Sequence, residues 1–435
     1  MNIKDAFDNR KLTENGDLSY NKVSTDDKLL NILFLTEYYT NHIDEVPVIG
    51  SSERDKIFAR FIRDPRLGLG RRDLGRRLMM LSECSIEEIV KSGRVDDLFY
   101  CSLDIKDLCK YLKKEIESGN ELVKKWMPRY SSKNVKVARL FAAEFGMNKQ
   151  QYGKFIKCDT TENKLSRKRV DEIEFDKIPS LCLLKYYKRF ARKEDTKERF
   201  KKYIDDVKSG KKEMHISTTT VYDIYKNSNV IDADLFFDKI EKIKINAIPI
   251  VDTSASMFCD DAMGKALSIG HYIAKCSTYM PNFVVSFSSR PTLIKLGVSN
   301  IHRNIDEIES QYKKEILSMR TGDCSNTDLG KVMELFKDVD DLPEYLVVLT
   351  DMEFDAGSSR SKGALMNIWK EKGYSTKIVW WNLNSRNITC PEMDKNGNIF
   401  MSGYSPYLLK YLEVGFDGKM FLNKLLEEYK EKIEK

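Results

Sequence analysis

The 435 residues are too many for one ordinary core, and a composition of 41% hydrophobic and 32% charged residues excludes a disordered polymer, so two globular domains are expected. No apolar run approaches the roughly 20 residues of a membrane helix, and the start MNIKDAFDNRKLTENGD lacks the apolar core of a secretory signal. The net charge of +6 is uneven: residues 1–250 carry about 50 basic and 41 acidic side chains, and residues 101–215 about 30 against 18. A polyanion partner for the first half accounts for such an excess, and so does plain solvation of lysine-rich helix surfaces.

In chain order, residues 1–24 are polar and irregular and read as a flexible arm. A helical pattern fills residues 25–235, with apolar residues three and four apart in Leu29–Tyr39, Arg72–Leu81, Ile105–Ile116, Asn134–Phe145 and Leu181–Val207. Gly68, Gly70, Gly93, Gly119, Pro128, Pro179 and Gly210 punctuate it. Many short helices without a strict period suggest an irregular helical-repeat (HEAT-like) domain. The character changes near residues 230–242, and a second domain is expected over 243–435. Ile243–Val251 is a continuous apolar run, as in a buried parallel strand. A helix at Ala262–Tyr279, strands at Asn282–Phe287 and Pro291–Leu296, and helices at Ile305–Leu317 and Thr327–Phe336 follow. Then come strand Tyr345–Thr350, helix Lys362–Lys372, strand Lys377–Trp381, a turn at Asn396-Gly397, strand Ile399–Ser402, and helices at Pro406–Leu412 and Lys419–Ile433. The fold class is therefore α + α/β: a helical half, then a doubly wound α/β sheet.

Ligands of such sheets bind at the carboxyl ends of the strands. The first strand ends in Asp252-Thr253-Ser254-Ala255-Ser256, and Tyr345–Thr350 ends in Asp351. Thr327 opens a helix after the polar loop 322–326. Hydroxyls and carboxylates from three loops at one sheet edge suit a hard divalent cation. Taken singly, each has a plain reading as a turn or cap residue. This pattern over residues 243–435 resembles the metal-ion-dependent adhesion site of von Willebrand factor A (vWA) domains. The resemblance implies that Asp252, Ser254, Ser256, Thr327 and Asp351 hold Mg²⁺ (or Mn²⁺ or Ca²⁺), with one position left to water or to an acidic side chain of a partner protein. Many vWA domains carry glycine after the second aspartate; here Met352 stands there, followed by Glu353, Phe354 and Asp355, the two acids being either outer acceptors or solvated. His271 falls mid-helix and reads as packed. Gly68-Leu69-Gly70 lacks the lysine of a phosphate loop, and no nucleophile–base pair is evident, so a binding protein and not an enzyme is expected.

The nine cysteines form no CxxC pair, and the four histidines sit at no ligand spacing from cysteine pairs. This excludes the usual zinc frameworks and fits reduced thiols in a cytoplasmic protein.

The arginine- and glycine-rich stretch from Arg63 to Leu74 resembles the TROVE (Ro autoantigen) module, a ring of helical repeats ahead of a vWA domain, and Lys124–Arg129 and Ile178–Leu181 look like segments of a related family. With Trp381–Asn384 and Ser402–Pro406 the chain is similar to this uncharacterised TROVE-like plus vWA family with viral and eukaryotic members. The resemblance implies an RNA-binding ribonucleoprotein component, resident in the cytoplasm, or in the host cytoplasm or virion if viral. Candidate RNA contacts are Arg63, Arg66, Arg71, Arg72, Arg76, Arg77, Lys124, Lys125, Arg129, Lys133, Lys136, Arg167, Lys168 and Arg169, with Trp126, Tyr130 and Tyr152 for stacking. Each also has an ordinary reading as a cap, an ion pair or a core residue; Arg63 and Asp64 in particular suit bracing between helices. The alternative is a metal-dependent protein–protein interaction or structural protein of an assembly, viral or other, that binds no RNA.

Overall fold

The computed structural model describes the chain except residues 1–9, 14–15, 21–26, 66, 92–94, 102, 133, 215, 217–218, 228–232, 288–290, 298–303, 305–328, 340, 355–357, 385–389, 391–396, 406–407, 410–417 and 435. The helix expected at Ile305–Leu317 lies outside the described residues, as does most of that at Pro406–Leu412. The chain divides into two compact units: residues 1–47, 65–71 and 216–428 form one, and residues 48–64, 72–215 and 429–435 the other.

The first unit holds the sheets. Strands β1 (Arg10–Leu12) and β2 (Leu18–Tyr20) form an antiparallel hairpin. Strands β3 (Ala247–Asp252), β4 (Phe283–Phe287), β5 (Thr292–Lys295), β6 (Tyr345–Thr350), β7 (Lys377–Asn382) and β8 (Ile399–Ser402) form a six-stranded sheet in the order β5-β4-β3-β6-β7-β8. The β4–β3, β3–β6, β6–β7 and β7–β8 pairs are parallel, and β5 adds antiparallel to β4. Every residue of β3, β6 and β8 is buried, which is why these strands read as unbroken apolar runs. Helix Ala262–Cys276 packs on β3 so closely that a β-carbon on Gly270 would stand 2.5 Å from Val251 Cγ2. His271 on this helix is buried between Phe237 and Asn304, as its mid-helix position suggested.

Two sequence expectations for the N-terminal segment are corrected. Residues 10–20 include an ordered hairpin: Tyr20 and Cys390 exchange backbone hydrogen bonds of 2.9 and 2.7 Å, and the Ser19 hydroxyl donates to Cys390 O at 2.8 Å. Polar composition hid this, because the hairpin is held by backbone groups that every residue carries. Helices Lys28–Phe34 and Thr36–Asn41 belong with the sheet and not with the helical half. Leu29, Leu30, Ile32, Leu33 and Phe34 are buried, Phe34 meets Phe400 of β8 edge-on at 5.4 Å, and the Asn382 amide donates to Phe34 O at 3.1 Å. An apolar stripe states that a helix is covered but not by what.

The second unit is helical throughout its described residues. Ser52 and Asp55 cap helix Glu53–Arg63 reciprocally; Asp104, Asn120, Asn148 and Thr160 cap later helices through their side chains. The single run expected over Leu181–Val207 is two helices, Ser180–Arg192 and Lys197–Lys208. They break at 193–196, where the Thr196 hydroxyl donates to Phe190 O at 3.1 Å. Phe175, Phe190, Phe200 and Tyr203 form the core beneath them.

Candidate functional site

From β3 the chain crosses to β4 on one side, and from β6 to β7 on the other. The carboxyl ends of β3 and β6 flank the reversal of winding, where open α/β sheets leave a crevice. Asp252 closes β3 and is fully buried. Its Oδ1 accepts from Ser254 N at 2.9 Å, and its Oδ2 accepts from the Thr350 hydroxyl. Ser254 Oγ and Ser256 Oγ lie 3.0 Å apart. Val251 is in register with Leu349, so Asp351 leaves the neighbouring strand one residue beyond the level of Asp252. Asp351 is buried, and its Oδ1 accepts from Glu353 N at 3.4 Å.

Asp252 and Asp351 thus follow two neighbouring strand ends, and Ser254 and Ser256 lie in the loop after the first; two carboxylates and two hydroxyls are all hard oxygen donors. Such a set fits Mg²⁺, Mn²⁺ or Ca²⁺ and does not fit a soft ion. Among the described residues no three His, Cys, Asp or Glu side chains group as metal ligands. Thr327, the remaining expected ligand, lies outside the described residues, as does Asp355. Met352 takes φ +69° while fully packed, the left-handed backbone that glycine would supply without strain. The loop therefore keeps a glycine-like turn despite its side chain. Glu353 is buried, which rules out the solvated reading for it. Thr350, which holds Asp252, was missed in the sequence; a polar residue ending the apolar run YLVVLT was its only signal.

Neighbouring segments pin this crest. Thr13 donates to Phe354 O at 2.6 Å, beyond the Asp351 turn. Asp260 and Asp261, after the serine loop, both have positive φ of 49° and 58°. Asn384 Nδ2 donates to Cys259 O and Asp260 Oδ2 at 3.1 and 3.3 Å, and Tyr222 donates to Asp261. Glu37 accepts from both Arg71 and Lys265, the latter at 3.0 Å, and the Arg71 guanidinium lies 4.1 Å from the centre of the Tyr404 ring. Burial, with Arg71 close by, pushes the Lys265 ammonium down to about 8.

The expected RNA contacts separate into three groups. Arg63, Arg71 and Arg76 are buried, at 5%, 8% and 8% exposure, and are withdrawn as surface contacts. Arg63 and Arg76 both bind Asp96 and Asp97, and Arg71 binds Glu37. Their buried carboxylate partners lie 20 to 34 residues away in sequence, out of reach of a local motif, while Arg76 also makes a longer contact of 3.5 Å to the exposed Asp73. Close approach explains the glycine here: a β-carbon on Gly75 would stand 2.7 Å from Arg63 Cα. Arg72, Lys125, Trp126, Lys136, Arg167 and Lys168 are exposed. Arg77, Lys124, Arg129 and Arg169 are half-buried, with Lys124 on Glu121 and Arg169 on Asp159 and Glu172. Tyr152 is fully buried and donates to Pro128 O at 2.9 Å, so it is a wall and not a stacking surface, whereas Tyr130 is half-exposed. Arg66 and Lys133 lie outside the described residues.

Comparison with known proteins adds the following. A domain of unknown function, DUF2828, matches residues 154–243, and a second, DUF7788, matches residues 246–434. The two matches meet just ahead of β3. An uncharacterised protein of Acanthamoeba polyphaga mimivirus is 24% identical, over 71% of this chain and 62% of that protein, so the chain spans about three fifths of its relative's length. Among solved structures, the crystal structure of the Deinococcus radiodurans RO (RSR) protein is similar at 12% identity and a TM-score of 0.40, covering 93% of each chain. No described helix is long and apolar enough to cross a membrane.

Proposed function

We propose that the chain is a non-enzymatic RNA-binding protein whose sheet unit, read as a vWA domain, holds one divalent cation. The observation that carries the RNA reading is the excess of about 30 basic over 18 acidic side chains in residues 101–215, in a chain whose net charge is only +6. Lys125, Lys136, Arg167 and Lys168 present part of that excess to solvent, and exposed cations of this kind neutralise phosphates and release counterions. Asp252, Ser254, Ser256 and Asp351 would hold Mg²⁺, or Mn²⁺ or Ca²⁺, with Thr327 as a further ligand. The ion would supply an electrophilic point that an acidic side chain of a partner protein can reach. Nothing in the crevice needs to transfer a proton for this role.

The test is binding of a partly single-stranded fluorescent RNA across a salt series. Several phosphate contacts lower affinity by orders of magnitude between about 50 and 200 mM salt, and charge reversal of Lys125, Lys136, Arg167 and Lys168 together should flatten that slope. Absence of binding at low salt sinks the RNA reading. The competing reading, a protein-binding component of an assembly, draws on exposed Leu122 and Trp126, four residues apart on one short helix and each 44% exposed. An apolar interface of that kind would be indifferent to salt.

A further inference from the structure

A small pocket of about 330 Å³ opens in the helical unit between the segment 129–131 and helix Lys149–Phe155. That volume lies at the low end of the range for ligand sites, about 300–1,000 Å³, and suits a single small planar ligand with a polar tail. We infer that this pocket takes one nucleoside monophosphate unit, its base against Tyr130 and its phosphate between Arg129 and Lys149. The inference rests on the RNA reading above and deepens it, since the same chemistry is offered by an unpaired nucleotide of an RNA strand and by a free nucleotide.

Three features of the pocket carry this. Its cations are uncommitted. Arg129 donates to Cys158 Sγ at 3.0 Å, a weak acceptor, and the Lys149 ammonium lies 5.7 Å from the Tyr130 ring centre. Neither meets a carboxylate among the described residues. Other cations of the same unit do: Lys124 pairs with Glu121, Arg169 with Asp159, and Arg189 with Asp195. Two adjacent cations left without anions in a concave site favour an anionic ligand.

The aromatic wall is fixed. Tyr152 is buried and tethered through its hydroxyl to Pro128 O, and Tyr130 meets it edge-on at 5.9 Å and 72°. Tyr130 is thereby held with part of its surface exposed beside the cations, the pairing that unpaired bases prefer. The last feature is the opening itself. Gly153 lines the pocket, and nothing lies within 4 Å of where its β-carbon would stand. It sits inside a helix at ordinary backbone angles, so a larger residue there adds helix propensity and intrudes only on the pocket.

Gly153→Leu fills the site, Tyr130→Ala removes the stacking face, and Lys149→Glu reverses one phosphate contact. Each full-length variant is first checked for an unchanged thermal midpoint. Affinity is then measured for a fluorescent single-stranded RNA dodecamer, for a blunt RNA duplex of equal length, and for adenosine and uridine monophosphate as competitors. Stacking of one base supports a loss of about 5- to 100-fold on removal. The expected result is that loss for the single strand in all three variants. Gly153→Leu and Tyr130→Ala should leave the duplex unchanged, because a paired base cannot enter the pocket. Competition by the monophosphates in the wild type identifies free nucleotide as a sufficient ligand; without it, the site is specific to the strand. If the wild type binds single strands and Gly153→Leu and Tyr130→Ala bind them equally well, the pocket inference is overturned and the RNA reading stands. If the wild type binds no RNA but binds a monophosphate that Gly153→Leu rejects, the RNA reading falls and the pocket stands. If it binds neither, both fall.

Discussion

Asp97→Ala should destabilise the helical unit by about 3–5 kcal/mol, the usual cost of removing one partner from a buried ion pair. The Asp97 carboxylate is wholly excluded from solvent and receives Nε of Arg63 at 2.8 Å and of Arg76 at 2.6 Å. Asp96 Oδ2 receives a terminal nitrogen of the same two arginines, at 3.2 and 2.9 Å. Two guanidiniums thus share two carboxylates, with 6% and 10% of the arginine side chains exposed. Deleting Asp97 leaves the two buried guanidiniums sharing Asp96, with only a long 3.5 Å contact from Arg76 to the exposed Asp73 besides. Urea unfolding followed by circular dichroism should show a lower midpoint at unchanged slope. Arg63→Ala should fail in the same way, with RNA affinity intact at low denaturant. A loss below about 1 kcal/mol for Asp97→Ala, typical of exposed pairs, would refute the reasoning. So would an Arg63→Ala protein of full stability with weakened RNA binding, which would return Arg63 to the surface.

Burial holds the His271 imidazole at about 3, below its ordinary 6.5, so the unfolded chain binds a proton that the folded one refuses. Stability should then fall as pH drops below about 6.5, by up to roughly 1.4 kcal/mol per unit, and His271→Gln should flatten that part of the urea-midpoint profile; an unchanged profile contradicts the assignment. Gly270→Ala places a methyl group 2.5 Å from Val251 Cγ2, and overpacking of about 1–3 kcal/mol should outweigh a helix gain of about 1 kcal/mol. Adding Val251→Ala should recover part of the loss in thermal midpoint, and a stable single variant would show that the helix can shift. Mg²⁺ at about 100 times its dissociation constant should stabilise the sheet unit by about 2.7 kcal/mol, and Ser256→Ala should weaken that response in a thermal melt; equal responses would remove Ser256 from the site.

The sheet was legible because β3 and β6 are buried on both faces and therefore run apolar up to their final residues, Asp252 and Thr350. Their carboxyl ends are marked in the sequence by the polar residues that close each run, Asp252 after Val251 and Thr350-Asp351 after Leu349. The arginine-rich loop was misleading for the opposite reason. Arg63, Arg71 and Arg76 look like surface residues when read locally, and only the fold brings Asp96, Asp97 and Glu37 to them. The adjacent acids inside the apolar stretch VDDLF were a faint warning, since buried carboxylates need cations. Lys149 was overlooked because a lone lysine at a helix start has nothing in its own segment to mark it. Its meaning comes from Arg129 and Tyr130, some 20 residues earlier.

The covering of β8 by helices Lys28–Phe34 and Thr36–Asn41 has a consequence in time. Glu37 N meets Ser402 Oγ across 365 residues of chain. At a synthesis rate of roughly 5–20 residues per second, the early helices wait on the order of 20–70 s before β8 exists to receive them. During that interval their apolar faces need a shield, either a chaperone or provisional contacts that must later be released. Starting synthesis at residue 243 inverts the problem: Phe400 would then reach its sheet with no Phe34 to meet it, and the isolated C-terminal half should aggregate more readily than the whole chain.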